Sequence, residues 1–499
     1  MLAQPKTAVW NGIDVSVPLP VRNTIQGGAH AVIKAEVKNR VMKYNMSDLS
    51  IQERHLIPNT YDMAENQKMC NTIQDIAMNL IFNAEGIKVM GTCNEGGIGA
   101  FFRSKGEFGA WEILMRAVEE AGYKPGEDVF FGFDSAADNF YKGQGVYEID
   151  GQNFDSKRLM EYYEKMIMEF PILFTEDIFA DEAVEHWASF TEKYGNRVFV
   201  CMDDIATTNA RLVRPLIEKK VGNMLLLKMN QIGTLLEGWR AAEIAHKNGL
   251  MTISSHRSTS SIDFMEIEVA LALSMIRENM GRCIFAKCGG AKLIERAMRY
   301  SIAQQWVEDW GSGIALSDPL PNDVKIKLFK AYAAPLNTGN ITLGVRALLS
   351  NGFEITATVP AGTSTGETEC YILPVEEAVK KVNDLSKELK LEGMKLGDLP
   401  SQFEFEQNLL SLELKEAMNK GLVNRSSTRL DMQIDMEMKR ALGGNTILAM
   451  SVAFNRIRAA KEGKPSWLTL REAGLELNNK GLTFDDEAFY EGPIRTCLS

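Results

Sequence analysis

The sequence predicts an α/β protein in which a parallel barrel is followed by a smaller α+β domain. Three observations carry this. Short apolar runs alternate with amphipathic stretches over residues 1–310, the pattern of a parallel sheet wrapped by helices. Five of those runs end in a reactive residue: 129–133 in Asp134, 172–175 in Glu176, 198–202 in Asp203, 224–227 in Lys228 and 252–255 in His256. The steps between them are 42, 27, 25 and 28 residues, each about one strand plus one helix. Finally, the texture changes beyond a Gly-, Pro- and Asp-rich stretch, GSGIALSDPLPND.

Within the first part, helices are expected over 112–121, 156–170, 211–220 and 235–247, each with apolar residues at helical spacing. After the stretch at 311–323, residues 341–349 and 353–359 read as strands around Ser350-Asn351-Gly352, an Asn-Gly turn signal. Helical patterns follow at 375–389, 402–419 and 447–462. The expected division is a barrel at 1–310, a linker at 311–323, an α+β domain at 324–475 and a tail at 476–499.

Composition bounds the function. The chain has 499 residues, 45% hydrophobic and 24% charged, which is enough for a sizeable core and more than one domain. Its net charge of −11 argues against nucleic-acid binding through a basic field. Seven scattered cysteines without zinc spacing point to reduced thiols in a cytoplasmic protein. The start, MLAQPKTAVWNG, has no signal-peptide pattern, and no apolar run approaches the length of a membrane span.

The strand ends carry the chemistry. A parallel barrel gathers the C-terminal ends of its strands on one face, where such proteins catalyse reactions. One acid after a strand is an ordinary cap or loop residue. Asp134, Glu176 and Asp203 at successive strand ends would repel one another, and a hard divalent cation resolves the repulsion. Asp177 and Asp204 are adjacent acids, and periodicity does not say which of each pair faces inward. Lys228, at the end of an apolar strand, is a candidate base kept neutral by burial and by the cation. His256-Arg257-Ser258 sets a cation beside a hydroxyl, which suits a phosphate. Glu95 in Asn94-Glu95-Gly96-Gly97 and His30 in Gln26-Gly27-Gly28-Ala29-His30 sit in glycine-rich turns. His55, His186 and His246 fall in helical or surface-like stretches and receive no role. Residues 359–366 form a small-residue loop, either a plain connection or a lid.

Together these segments resemble the enolase family. LLLKMNQIG at 225–233 is similar to its lysine strand, SSHRS at 254–258 to its His-Arg-Ser segment, and CNEGG at 93–97 to its Glu-Gly-Gly turn. FDSAAD at 133–138, TED at 175–177 and MDD at 202–204 match its three metal-ligand strands. Gln52-Glu53 resembles its Gln-Glu pair, and Lys287, eight residues before Glu295-Arg296, its second lysine. The resemblance implies a (β/α)8 barrel with a smaller α+β capping domain and a Mg2+-dependent lyase, with two Mg2+ per active site. Asp134, Glu176 and Asp203 would hold the first ion, and Ser364 would help to hold the second. Lys228 would take the proton α to a carboxylate, and Glu95 paired with Glu53 would protonate the leaving hydroxyl. His30 and His256 would line the pocket, Lys287 would contact the substrate near its carboxylate, and Arg257 and Ser258 would bind its phosphoryl group. The implied partners are a small phosphorylated or phosphonate carboxylate and a second copy of the chain in a homodimer, with no nucleic acid and no membrane.

The order differs from the family's. Members begin with the small domain, whose features are similar here to Leu336–Asn340, Ala361–Gly366 and Gly443–Leu448, all after the barrel. The chain therefore resembles a circularly permuted enolase. Thr259-Ser260-Ser261-Ile262-Asp263 replaces Gly-Glu-Thr-Glu-Asp, Thr338 and Ile341 replace an Arg and a Pro, and Ala361 replaces the first lid Ser. Residues 32–50 and 274–286 are longer than usual and flank the expected pocket. Three functions follow as expectations. One is elimination of water from 2-phosphoglycerate or a close analogue, and another is a carboxyphosphonoenolpyruvate synthase-like step in phosphonate natural-product biosynthesis. The third is a non-catalytic scaffold.

Overall fold

The computed structural model describes residues 2, 7–10, 13–37, 40–259, 261–275, 280–311, 317–362, 368–423, 434 and 437–479. Eight strands close into a barrel, labelled here in chain order: β1 (Leu19–Gln26), β2 (Glu53–Pro58), β3 (Val129–Asp134), β4 (Ile172–Glu176), β5 (Phe199–Met202), β6 (Met224–Leu227), β7 (Met251–Ser255) and β8 (Cys283–Lys287). Each strand pairs with the next, and β8 pairs back onto β1, so the sheet has no break. The expected all-parallel barrel needs one correction. β2 runs antiparallel to both β1 and β3, while the other pairs are parallel. Its reversal follows from its connection, because a strand that returns without a crossover helix must run back. The link between β1 and β2 is a 3-10 turn (Gly28–Ala31) and a hairpin of Val32–Val37 with Arg40–Asn45.

The reversal has a consequence for chemistry. In every other strand the last residue reaches the mouth of the barrel. In β2 the first residue does so, and Glu53 stands level with Gln26 of β1 and Asp134 of β3.

Helices cover the outside: α1 (Met63–Asn83), α2 (Gly106–Glu120), α3 (Ser156–Glu169), α4 (Val184–Tyr194), α5 (Ala210–Glu218), α6 (Leu235–Lys247), α7 (Met265–Ala272) and α8 (Ile294–Gly311). Their starts are capped where the sequence offers an acceptor. Asp62 takes the Glu65 N–H at 2.9 Å, Asp155 the Arg158 N–H at 2.8 Å and Thr234 the Glu237 N–H at 3.0 Å. A large apolar layer fills the space between sheet and helices. A second, smaller cluster plugs the barrel itself, built from Leu19, Val21, Ile57, Phe174, Cys201, Met224, Leu226, Ile253 and Phe285.

A three-stranded antiparallel sheet follows in the chain: β9 (Ile326–Pro335), β10 (Ile341–Leu349) and β11 (Glu354–Thr358). Helices α9 (Val375–Glu388), α10 (Gln402–Asn419), α11 (Gly444–Glu462) and α12 (Ser466–Asn479) complete it. The expected boundary at residue 475 falls inside α12, which continues to Asn479 and rests on α6 and α7 of the barrel. Part of the expected linker (312–316) and most of the expected tail (480–499) lie outside the described residues. No helix among the described residues is long and apolar enough to cross a membrane.

The turn before β2 is fixed by a buried charge. Glu107 at the start of α2 accepts the N–H of Ser50 at 2.6 Å and of Ile51 at 3.1 Å, and pairs with the buried guanidinium of Arg54. Glu107→Ala leaves that buried guanidinium without its carboxylate, with the Ile51 carbonyl at 3.3 Å and the Trp111 ring as remaining contacts. The expected loss is about 3–5 kcal/mol of unfolding free energy, read from urea denaturation.

Candidate active site

Side chains alternate along a strand, so the residue two places beyond an inward apolar one also faces the barrel axis. Phe174 is followed in this way by Glu176, Cys201 by Asp203, Leu226 by Lys228 and Phe285 by Lys287. The apolar plug therefore ends in a charged layer that holds Glu176 and Asp203, while Asp177 and Asp204 line the mouth beside it. Asp177 and Asp204 come one step later. Asp177 adopts the left-handed region (φ 45°), and its carboxylate takes the N–H groups of Asp203 at 3.0 Å and Asp204 at 3.2 Å.

Lys287 is the hub of this layer. Its Nζ lies 2.7 Å from Glu53 Oε2, 3.0 Å from Asp134 Oδ2, and 3.0 and 2.9 Å from the two oxygens of Glu176. Lys287 lines the mouth, where the resemblance expects it to meet the substrate, and its ammonium pairs with three acids from three strands. Lys228 Nζ pairs with Asp203 Oδ2, and Gln231 Nε2 donates to Asp203 Oδ1 at 2.9 Å. The neutral Lys228 was expected beside a bound cation, and without one the nearest charge is Asp203. Burial lowers its pKa, but the Asp203 charge outweighs burial and holds the ammonium form.

Three groups of acids and histidine have ligand atoms within 4.8 Å of one another: His30, Glu53 and Glu95; Asp134, Glu176 and Asp177; and Asp177, Asp203 and Asp204. Asp134, Glu176 and Asp203 are thus not one mutual trio among the described residues. Lys287 draws the first two and Lys228 the third, and Asp177 bridges the gap. Negative charge remains in surplus. Burial, then the Asp134 charge, push Glu176 well above the usual carboxylate range, and burial, then Asp203, push Asp204 up to about 7. Buried hard oxygen donors in excess of their counter-charges fit a divalent cation.

The opposite wall carries the acid pair. His30 sits on the turn Gly28–Ala31, whose backbone lies on residues 49–52: the Gly27 N–H meets Gln52 O and the Gly28 N–H meets Leu49 O, both at 2.9 Å. A Cβ on Gly27 would stand 2.4 Å from the Ile51 carbonyl oxygen, so only glycine permits this approach. His30 Nδ1 is 2.7 Å from Glu53 Oε1 and 3.4 Å from Glu95 Oε1. Asn23 Nδ2 donates to Glu95 Oε2 at 3.2 Å. Burial opposes charge on His30, but Glu95 and Glu53 outweigh it and push the imidazolium up to about 9. Burial would raise Glu53 as well, yet Lys287 and hydrogen bonds from His30 and His55 hold it well below the usual range. Burial, then the Glu53 charge, push Glu95 up to about 7. One carboxylate is kept ionised and its neighbour is kept near neutrality, which separates acceptor from acid.

His256, Arg257 and Ser258 line the same mouth with His30, Glu95, Asp203 and Lys228. His256 Nδ1 donates to the Arg257 carbonyl. Arg257 is gripped by Glu369 of the second module, at 3.1 Å to Oε1 and 2.9 Å to Oε2, and Gly362 lies on the guanidinium so closely that a Cβ there would meet NH2 at 2.2 Å. Glu369 also accepts from Gln231 at 3.4 Å. The altered segment after His256 serves this seam. Thr259 and Ala361 bridge backbone to backbone at 3.2 Å, and Asp263 holds Arg456 at 2.7 and 2.8 Å. Ser364 and most of the expected lid (363–367) lie outside the described residues.

Sequence reasoning missed two residues. Glu369 has no signal apart from its place shortly after the small-residue loop. His55 was read as surface-like and is in fact buried within β2, with Nε2 2.8 Å from Glu53 Oε2. A period-two reading of Glu53, His55 and Ile57 as one inward face finds it. His186 stays on α4, and His246 is buried on α6 against Thr252 at 3.0 Å, both away from this mouth. The family model for the enolase C-terminal TIM barrel domain matches residues 14–284, more than half of the chain, and the chain belongs to the enolase family.

Proposed function

We propose that this protein is a Mg2+-dependent lyase that removes the proton α to a carboxylate and eliminates water, turning 2-phosphoglycerate or a close analogue into its enolphosphate. The observation that carries the reading is the placement of Lys228 and Glu53. In an eight-membered ring of strands β6 faces β2, so the candidate base stands across the mouth from the Glu53–Glu95 pair. Removal of a proton from one carbon and of hydroxide from the next calls for a base and an acid on opposite sides of the substrate.

Asp134, Glu176 and Asp203 would hold the first ion, with Asp177 close by, and Ser364 would contribute to a second. When bound, such ions place positive charge on the substrate carboxylate and compete with Lys228 for Asp203. Lys228 would give its ammonium proton to solvent and, as the free amine, take the α proton. The hydroxyl on the neighbouring carbon leaves as water with the proton from Glu95, while Glu53, His30 and Lys287 keep the charge around Glu95 fixed. Arg257 and Ser258 bind the phosphoryl group, and Glu369 orients the guanidinium. The second module is read as the family's capping domain, placed after the barrel by circular permutation, and a homodimer belongs to the same reading.

A second reading has its own support. The hairpin of Val32–Val37 with Arg40–Asn45 follows directly on His30, and the segment after His256 departs from the family. Both favour a carboxyphosphonoenolpyruvate synthase-like enzyme that attaches a phosphonoformyl group to the enolphosphate product. Phosphorus NMR of the reaction with a phosphonoformyl donor separates the two, because transfer produces a new phosphonate resonance and simple elimination does not.

Three outcomes test the leading reading. Mg2+ at about 100 times its Kd is expected to stabilise the fold by ~2.7 kcal/mol, seen as a raised thermal midpoint. Asp134→Asn or Glu176→Gln removes most of that rise. Lys228→Ala is expected to lower kcat with 2-phosphoglycerate by roughly 10²- to 10⁴-fold in an ultraviolet assay for the enolphosphate. Glu95 acts in its protonated form, so kcat/KM falls as the pH rises through about 7, and Glu95→Gln abolishes both that limb and most of the activity.

A further inference from the structure

His55 lies beneath the charged layer and has no assigned part in the elimination chemistry. It stands two places after Glu53 on the reversed strand β2, so both side chains enter the barrel on the same face, with His55 one layer deeper. Its side chain is fully buried, and its ring meets Phe174 edge to face at 5.9 Å between centroids. Glu53 holds its proton poorly, because Lys287, His30 and His55 all surround it. An ionised carboxylate only accepts hydrogen bonds, so the 2.8 Å contact from His55 Nε2 to Glu53 Oε2 fixes the proton on Nε2.

The remaining nitrogen is costly. Nδ1 is then a buried acceptor with no hydrogen-bond partner among the described residues. A leucine or methionine would fill the same layer without that orphan. Packing alone gives no reason for a histidine here, and its polar contact with a side chain is to Glu53.

Glu176 shows how a carboxylate meets Lys287 without such a contact. It turns both oxygens onto the ammonium, at 3.0 and 2.9 Å. Glu53 does otherwise, sharing only Oε2 with Lys287 and sending Oε1 to His30 at 2.7 Å. We propose that His55 is a positioning residue whose Nε2–H pins the Oε2 edge of Glu53 from inside the barrel, so that Oε1 stays turned towards His30 and Glu95. Its importance for turnover rests on the elimination reading given above; the contact itself does not.

The experiment has two arms. In the first, His55→Leu and His55→Gln are compared in the full chain with 2-phosphoglycerate and Mg2+. The glutamine Nε2 reaches where the imidazole Nε2 does and restores the donor. His55→Leu is expected to lower kcat by about 10- to 100-fold with KM within about threefold, and His55→Gln to recover most of it. Exchange of the substrate α proton into D2O depends on Lys228 and should stay within a few-fold of wild type in both variants. Equal losses in the two variants, or exchange and elimination falling together, overturn the proposal. In the second arm, 15N NMR of histidine-labelled protein is expected to show a neutral Nε2–H imidazole that is absent in His55→Leu and moves in Glu53→Gln. An Nδ1–H tautomer, or a resonance blind to Glu53→Gln, overturns it. A wild-type protein that neither exchanges nor dehydrates 2-phosphoglycerate defeats the elimination reading, and the NMR arm then decides the positioning claim by itself.

Discussion

The ammonium of Lys287 is the fixed charge around which the mouth of the barrel is arranged. It closes the ring of strands chemically as well as topologically, since β8 pairs with β1 while its last side chain binds acids on β2, β3 and β4. Without it, Glu53, Asp134 and Glu176 would be like charges crowded in a dry space. One ammonium does not neutralise three carboxylates, and the acids on β4 and β5 add to the excess. The charged layer rests on the apolar plug beneath it. Crowded carboxylates of this kind are able to hold a divalent cation.

The reversed strand gives the site its asymmetry. In a fully parallel barrel the inner residues at equal height come from strand ends of one kind. Here β2 enters the mouth with its first residue, directly after the turn that carries His30. Glu53 therefore meets a histidine above it and another below it, and both sit on short, tightly braced segments. Glu107 and the Gly27–Gly28 backbone brace the first, and the pleat of β2 itself fixes the second. Glu53 is thus braced from both sides, whereas Lys228 at the end of β6 pairs with one carboxylate, Asp203, which Gln231 holds in turn.

What was legible in the sequence follows from the same geometry. Asp134, Glu176, Asp203, Lys228 and His256 were found because parallel strands end where catalysis occurs, and apolar runs mark their course. Glu53 could be reached only through a motif, since an acid that starts a strand has no periodic signature. His55 was misread for the same reason: ERHLIP is half polar, and its burial comes from the barrel around it rather than from its own composition. The pairing of Lys228 with Asp203 was not legible, because the two lie 25 residues apart and only the fold sets the carboxylate against the amine. That Glu176 and Asp203 continue the inward face, with Asp177 and Asp204 beside it, needed the inward phase of each strand, which the buried plug supplies.

The seam between the two modules explains why their order along the chain is immaterial to the site. Every contact that ties them is made through space. Glu369 grips Arg257, Asn230 donates to the Pro360 carbonyl at 3.2 Å, and the Cys370 N–H meets Gln231 O at 2.8 Å. Further out, Lys439 pairs with Glu237 at 2.9 Å, and the N–H groups of Leu235 and Leu236 are taken by Ser451 and Glu406. These last contacts cap the helix that follows the Lys228 strand, so the second module is tied to the segment of the barrel that carries Lys228. None of them depends on which module is synthesised first, and a chain whose ends are moved to another surface loop keeps them all.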